Sequence, residues 1–200
     1  MMGMKSRTDN TYPPWTWGLP PAPGDLRVVQ AFVNTRDVEE GTDELATPEA
    51  LAAWLSAWGL LTEGPPAEPG ELEKAKQVRE ALRRLLLANN GAPLDPTAVE
   101  VLDRTARDAS LRVTFGPDGA AGLEPAAAGW EGALARLLEL VVVARIEGLW
   151  PRLKACRNAE CEWAFYDFSK NRSSKWCTMK RCGNLMNARA YRTRQKSRSP

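Results

Sequence analysis

Histidine is missing from this 200-residue chain. Its absence removes the commonest general base of enzyme sites and leaves sulfur as the only soft ligand for a metal. Long apolar runs are missing too: the longest, residues 140–144, is far short of the roughly 20 residues that span a bilayer. No phosphate-cradling P-loop, dinucleotide fingerprint, nucleophile elbow or zincin motif occurs, so the chain does not read as an enzyme. Residues 1–24 hold one lysine and one arginine but no apolar centre, so they do not read as a signal peptide. The expectation is a soluble, cytoplasmic protein whose thiols stay reduced.

Cysteine is scarce and confined. All four, Cys156, Cys161, Cys177 and Cys182, lie in one stretch as two pairs, with four residues inside each pair and fifteen between the pairs. A thiolate pair on a tight turn can hold one side of a metal ion, and a second pair completes a tetrahedron. Zinc suits such a shell, being redox-inert and content with four sulfurs. Two disulfides or four unligated core thiols are the alternatives. A reducing compartment opposes the first, and clustering at one end opposes the second. An iron–sulfur cluster is the other metal reading, since four cysteines satisfy it as well. A closed four-sulfur zinc site has no open position for a substrate.

Charge is unevenly spread. The net charge of +2 hides 13 Lys and Arg against 3 acidic residues in 151–200, a balance of +10, and 14 against 22 in 1–150, a balance of −8. One zinc ion with four thiolates lowers the first balance to +8. A basic end on an acidic body is the footprint of a polyanion binder, although a solvated tail would show the same charge.

Along the chain, residues 1–24 form an irregular Pro/Trp-rich arm in which Trp15 and Trp17 are expected to dock on the body. Residues 25–150 read as a helical domain. Asp25 is placed as the cap of a first helix with Val28, Val29, Phe32 and Val33 inward, ending near Asn34 and Thr35. Thr47-Pro48-Glu49 opens a second helix carrying Trp54 and Trp58 as core residues. A Pro-rich linker over 64–70 precedes a long helix from about Glu71 to Asn89, stopped by Asn90-Gly91. Asp95-Pro96 opens a fourth helix, Leu111–Phe115 with a return through Leu123 predicts a hairpin, and Trp130–Leu149 is expected as the centre of the core. Asn34, Thr35 and Arg36 are candidates for a small-ligand pocket as well as a helix end.

The text of residues 153–184, LKACRNAECEWAFYDFSKNRSSKWCTMKRCGN, resembles the CGNR type of zinc finger. Residues 31–37, AFVNTRD, with LATPEALAAWL after them, are similar to the domain called ABATE that precedes such fingers. The resemblance implies a bacterial, stress-linked transcription regulator. The chain departs from the naming motif: after Cys182-Gly183-Asn184 come Leu185 and Asn187, where the family carries Arg and Lys. Two cations at the start of the last helix are therefore missing.

The fold expected is mainly α, a helical N-terminal domain with a small β-hairpin, plus a small C-terminal four-cysteine finger over 151–200 ending in a basic helix. Lys154, Arg157, Lys180 and Arg181 flank the metal and would partly offset its charge. Backbone amides near Asn158 and Lys180 would donate to its sulfurs. Trp163, Phe165, Tyr166, Phe168 and Trp176 read as the finger's own core rather than as base-stacking groups. On the final helix Arg189, Arg192 and Lys196 share one side, with Arg194 beside them, while Leu185, Met186 and Ala190 are placed against the finger. Lys170, Arg172 and Lys175 form a basic loop before the third cysteine. These cations are the candidate nucleic-acid contacts, for DNA first and RNA as an alternative. A homodimer through the helical domain and a finger that docks an acidic protein, or the chain's own body, are the remaining partners considered.

Overall fold

The computed structural model describes residues 18–61 and 68–196, with the backbone alone at 196. The expectations for Trp15, Trp17, residues 64–67 and the Lys196 side chain lie outside the described residues. Six helices and three two-stranded antiparallel hairpins follow one another among them.

Helix α1 (Leu26–Asn34) is the middle of the molecule. Eight of its nine residues are buried, including Gln30 and Asn34. The apolar face foreseen at Val28, Val29, Phe32 and Val33 is in place, but Asp25 makes no side-chain cap; its carbonyl instead accepts the Val28 N–H at 2.9 Å. Strands β1 (Arg36–Asp37) and β2 (Thr42–Asp43) form a short turn, and α2 (Pro48–Ala57) starts as foreseen, with the Thr47 hydroxyl accepting the Ala50 N–H at 3.2 Å. Trp54 and Trp58 are half-buried against the core, the Trp54 ring lying tilted against that of Phe32 with centroids 5.3 Å apart.

Helix α3 (Pro69–Asn89) begins two residues before the expected start. Proline at the first helical position and a reciprocal capping box between Glu68 and Glu71 draw Pro69 and Gly70 into the helix rather than into a linker. It ends as expected at Asn90 and Gly91, where φ is +88°. Helix α4 (Pro96–Asp108) is capped by Asp95, whose carboxylate accepts the Thr97 and Ala98 N–H groups. The foreseen hairpin is β3 (Leu111–Phe115) with β4 (Ala121–Pro125), in register Val113 to Leu123. Every residue on one of its faces is apolar, and Val113 and Phe115 on that face are exposed.

Helix α5 (Gly129–Ile146) is apolar as expected and lines the core from Trp130 to Ala144, packing on α1, α3 and α4, although it is less completely buried than α1. Arg136, Glu139, Val143 and Ile146 give it an open side, whereas α1 exposes only Arg27. Two further hairpins beyond the predicted one are present. The third pairs β5 (Leu153–Ala155) with β6 (Ala164–Tyr166), after a single 3₁₀ turn at Trp150–Arg152.

This last hairpin serves two cores through strand alternation. Leu153, Ala155, Ala164 and Tyr166 join the core built by α1, α3 and α5. Trp163 and Phe165 point the other way and pack with the four cysteines and Trp176. All six residues of the hairpin are buried, since one face meets the body and the other meets the knuckles and their loop.

Candidate metal centre

The first cysteine pair closes a knuckle directly after β5. Cys156 donates its N–H to the Trp163 carbonyl at 3.0 Å, and the Cys161 and Glu162 N–H groups both turn back to the Asn158 carbonyl. Glu162 takes the left-handed conformation, φ +46°, to leave the turn. The second pair spans a wide helical turn, Met179–Gly183, which starts at the Thr178 hydroxyl accepting the Arg181 N–H and runs directly into α6 (Asn184–Lys196). Gly183 keeps this turn close: a Cβ would meet the Met179 sulfur at 2.6 Å and the Trp176 ring at 3.2 Å, so a larger residue would have to displace the exposed Met179 side chain.

These turns bring the four sulfurs, all buried, within 4.8 Å of one another. Cys161 and Cys177 lie 3.7 Å apart, as do Cys177 and Cys182. Four sulfurs at about 2.3 Å from a tetrahedral zinc are separated by about 3.8 Å, so both contacts match the edge of a zinc tetrahedron. They are too long for disulfides, and all four cysteines are free. An iron–sulfur cluster interposes several atoms between its ligands and needs wider spacing. Hydrogen bonds among the crowded thiols, with burial added, raise Cys161 and Cys177, while Cys156 and Cys182, accepting those bonds, are lowered. A divalent cation resolves this conflict by stabilising all four as thiolates.

A side chain joins the backbone as a donor to sulfur: Asn158 Nδ2 reaches Cys182 Sγ at 3.6 Å, and the Cys177 N–H acts on Cys156. The charge of Lys154 is spent on Asp167 rather than on the sulfurs. Lys154 is buried and donates to Asp167 Oδ2 at 2.8 Å and to the carbonyls of Arg172 and Ser174. Burial would raise Asp167, but hydrogen bonds from Lys154 and from the Ser169 and Ser174 N–H groups outweigh it and hold the carboxyl well below the usual range. That pair shapes the 169–174 loop, including the left-handed Arg172 at φ +52°. Arg157 instead donates to the Asn90 carbonyl, lying so close over Gly91 that a Cβ there would clash with its guanidinium.

The finger is seated on the body by neutral side-chain amides. Asn34 donates to the Ala164 carbonyl at 3.0 Å and accepts the Ala164 N–H at 2.8 Å, acting as a strand partner for the outer edge of β6. Gln30 adds a bond to the same carbonyl. Asn89 donates to the carbonyls of Trp150 and Leu153, and Asn90 to those of Ala155 and Lys175. Arg83, buried on α3, joins the Val33 carbonyl on α1 to the Glu162 carbonyl beside Cys161. The finger packs on the chain's own body, as the rival reading considered, mainly through amides, the Arg83 guanidinium and apolar contact, with ion pairs such as Arg181 to Glu39 at its edge. Sequence reasoning missed this seat, because Asn34, Asn89 and Asn90 read as helix ends. Asn34 and Thr35 are occupied here, Thr35 accepting from Arg79, and do not line a ligand pocket.

The candidate nucleic-acid contacts fall into three exposed groups. Lys170, Arg172 and Lys175 are on the loop before Cys177, Lys180 and Arg181 on the second knuckle, and Arg189, Arg192 and Arg194 on α6. Arg181 is held by Glu39 at 2.8 Å and Arg189 by Glu160 at 2.9 Å. Helix α6 does not pack as foreseen: Leu185 and Ala190 are exposed, and Met186 is half-buried. Of the aromatics assigned to the finger's core, Tyr166 packs instead into the core of the body, and Phe168 stands exposed.

The profile of ABATE, described as "Putative stress-induced transcription regulator", matches residues 26–147, and that of the CGNR zinc finger matches residues 152–195. No curated protein matches the chain. The finger family and the sulfur cluster together support one zinc ion per chain. No helix among the described residues is long and apolar enough to cross a membrane.

Proposed function

The chain belongs to the ABATE family of regulators and ends in a CGNR zinc finger, and from that membership we propose that it is a cytoplasmic, zinc-dependent DNA-binding transcription regulator. Cys156, Cys161, Cys177 and Cys182 are the zinc ligands, and the ion is structural: it fixes the two knuckles that orient the basic loop and α6. The body over about 25–150 senses or dimerises, and residues 151–200 meet the nucleic acid. The apolar hairpin face with exposed Val113 and Phe115 is the surface on which a second copy would pair. Catalysis is not part of this reading, because the matched families are regulatory and zinc-binding.

One observation carries it. The finger uses the apolar face of its hairpin to bind the body and leaves the side chains of Lys170, Arg172, Lys175, Lys180 and Arg192 exposed. A finger whose role was to dock its own acidic body would spend those charges at that contact; the ion pairs seen there include Arg181 with Glu39 and Arg84 with Glu162, and neither uses one of the five.

The test is a fluorescence-anisotropy titration of the zinc-loaded protein with duplex DNA and matched RNA at several salt concentrations. Duplex affinity should fall with salt by about 0.9 log units per log unit for each phosphate neutralised. Tighter binding of RNA would reassign the polymer. Absence of binding to either would turn the reading toward an acidic protein partner.

A further inference from the structure

Phe168 has no role in the fold that its neighbours do not already fill. Trp163, Phe165 and Tyr166 are buried, while Phe168 is 55% exposed. One exposed phenyl ring means little by itself. Two further observations set this one apart.

The first is rigidity. Arg152 Nη1 donates to the carbonyls of Asp167 at 2.9 Å and Ser169 at 3.1 Å, the residues on either side of Phe168. The Ser169 N–H closes on Asp167 Oδ1 at 2.9 Å, and the buried Lys154–Asp167 pair anchors the loop from below. The ring itself meets Tyr166 edge-on, with centroids 4.7 Å apart and planes at 62°. An aromatic held this way loses little freedom on binding, which is how recognition groups differ from mobile surface side chains.

The second is its rim. Lys170 and Arg172 follow on the same short loop, both exposed, and Lys175 ends it. A fixed aromatic face with cations two and four residues along the same loop is a combination that can stack a base while neighbouring phosphates are neutralised.

We propose that Phe168 is a base-stacking residue that takes the face of an unpaired nucleobase while Lys170 and Arg172 hold the flanking phosphates. The inference rests on the finger being the nucleic-acid contact and deepens it: the preferred DNA is one with an unstacked base, since a flush duplex covers its base faces. Stacking is sequence-tolerant, so this contact selects an opened structure rather than a base identity.

Three DNA probes test it on the zinc-loaded full chain: a flush duplex, the same duplex with one bulged 2-aminopurine, and the single strand carrying that base. The wild type should prefer the bulge and the single strand and should quench 2-aminopurine emission. Phe168→Leu keeps an apolar contact to Tyr166 but has no aromatic face. It should bind the bulged probe about 5- to 100-fold more weakly, with zinc content and the log–log salt slope unchanged because no charge is removed. Phe168→Trp should restore both affinity and quenching. A Leu variant equal to wild type on all three probes, or a wild type that binds the flush duplex as well as the bulge, overturns the role of Phe168 and leaves the finger's DNA binding standing. A wild type that binds none of the probes overturns both.

Discussion

Asn34 lies 130 positions from Ala164 in sequence, yet it completes the outer edge of the strand that leads out of the first zinc knuckle. Replacing it by alanine removes an acceptor from the buried Ala164 N–H and a donor from its carbonyl. The carbonyl keeps Gln30 Nε2 at 3.3 Å, so the N–H is the group left without a partner. An unsatisfied buried N–H costs about 1–3 kcal/mol, and loss of the second bond brings the expected total to about 2–3 kcal/mol. For a chain of this length each kcal/mol moves the melting midpoint by about 2–4 °C, so a fall of about 5–10 °C is expected by circular dichroism. The sharper assay is zinc release to a chromogenic chelator. If β6 must leave its seat before the knuckle opens, the same energy weakens the seat, and release should accelerate by at least about tenfold. A midpoint within about 2 °C of wild type would refute the argument about Ala164. A lowered midpoint with unchanged zinc release would refute the coupling of body and finger.

Cys177→Ser should abolish the one-to-one zinc content measured by atomic absorption. Because β5 and β6 share the body's core, it should also lower the main melting transition rather than add a separate early one. Lys154→Met strands the buried Asp167 carboxylate, and a loss of about 3–5 kcal/mol in denaturant unfolding is expected, with Asp167→Asn recovering part of it in the double variant. Asp167 has a depressed carboxyl pKa in the folded state, so its contribution is present above about pH 4 and is lost as pH falls through the folded value. The stability gap between wild type and Lys154→Met should accordingly narrow on acidification below about pH 4, and a gap that widens there would contradict the assignment. Arg189→Ala with Arg192→Ala should flatten the salt dependence of duplex binding by about 0.9 per phosphate that α6 contacts, and an unchanged slope would remove α6 from the interface.

The parts legible in the sequence were those set by local chemistry. Thr47-Pro48 and Asp95-Pro96 start helices because a cap acceptor precedes a residue whose φ is already helical, and both caps are formed. Cysteine pairs report the metal because few other reasons exist to place four thiols in one stretch. The parts that were not legible depend on partners distant along the chain. Lys154 looks like a surface cation until Asp167 and two loop carbonyls close around it. Asn89 and Asn90 look like a helix stop, and they are one, but their side chains also bind the finger. Phe168 falls in an aromatic run whose other three members are buried, and strand alternation alone places it toward the Tyr166 side. The hairpin ends before it, and that decides its exposure.

The seat of the finger bears on how salt dependence is interpreted. With −8 on residues 1–150 and +10 on residues 151–200, the simplest docked arrangement would set the basic groups against the body. Salt would then release the finger, and binding to DNA would rise with ionic strength before screening reduced it. The interface is instead built mainly from amides, backbone groups and apolar residues, with the buried Arg83 donating to carbonyls, contacts that salt hardly affects. Its main ion pair, Arg181 with Glu39, joins two half-exposed side chains, a type that contributes little. Ionic strength should therefore leave the finger in place, and the fall in DNA affinity with added salt should be monotonic and count phosphates directly. A maximum at intermediate salt, abolished by Glu39→Ala, would show that this one ion pair shields the second knuckle.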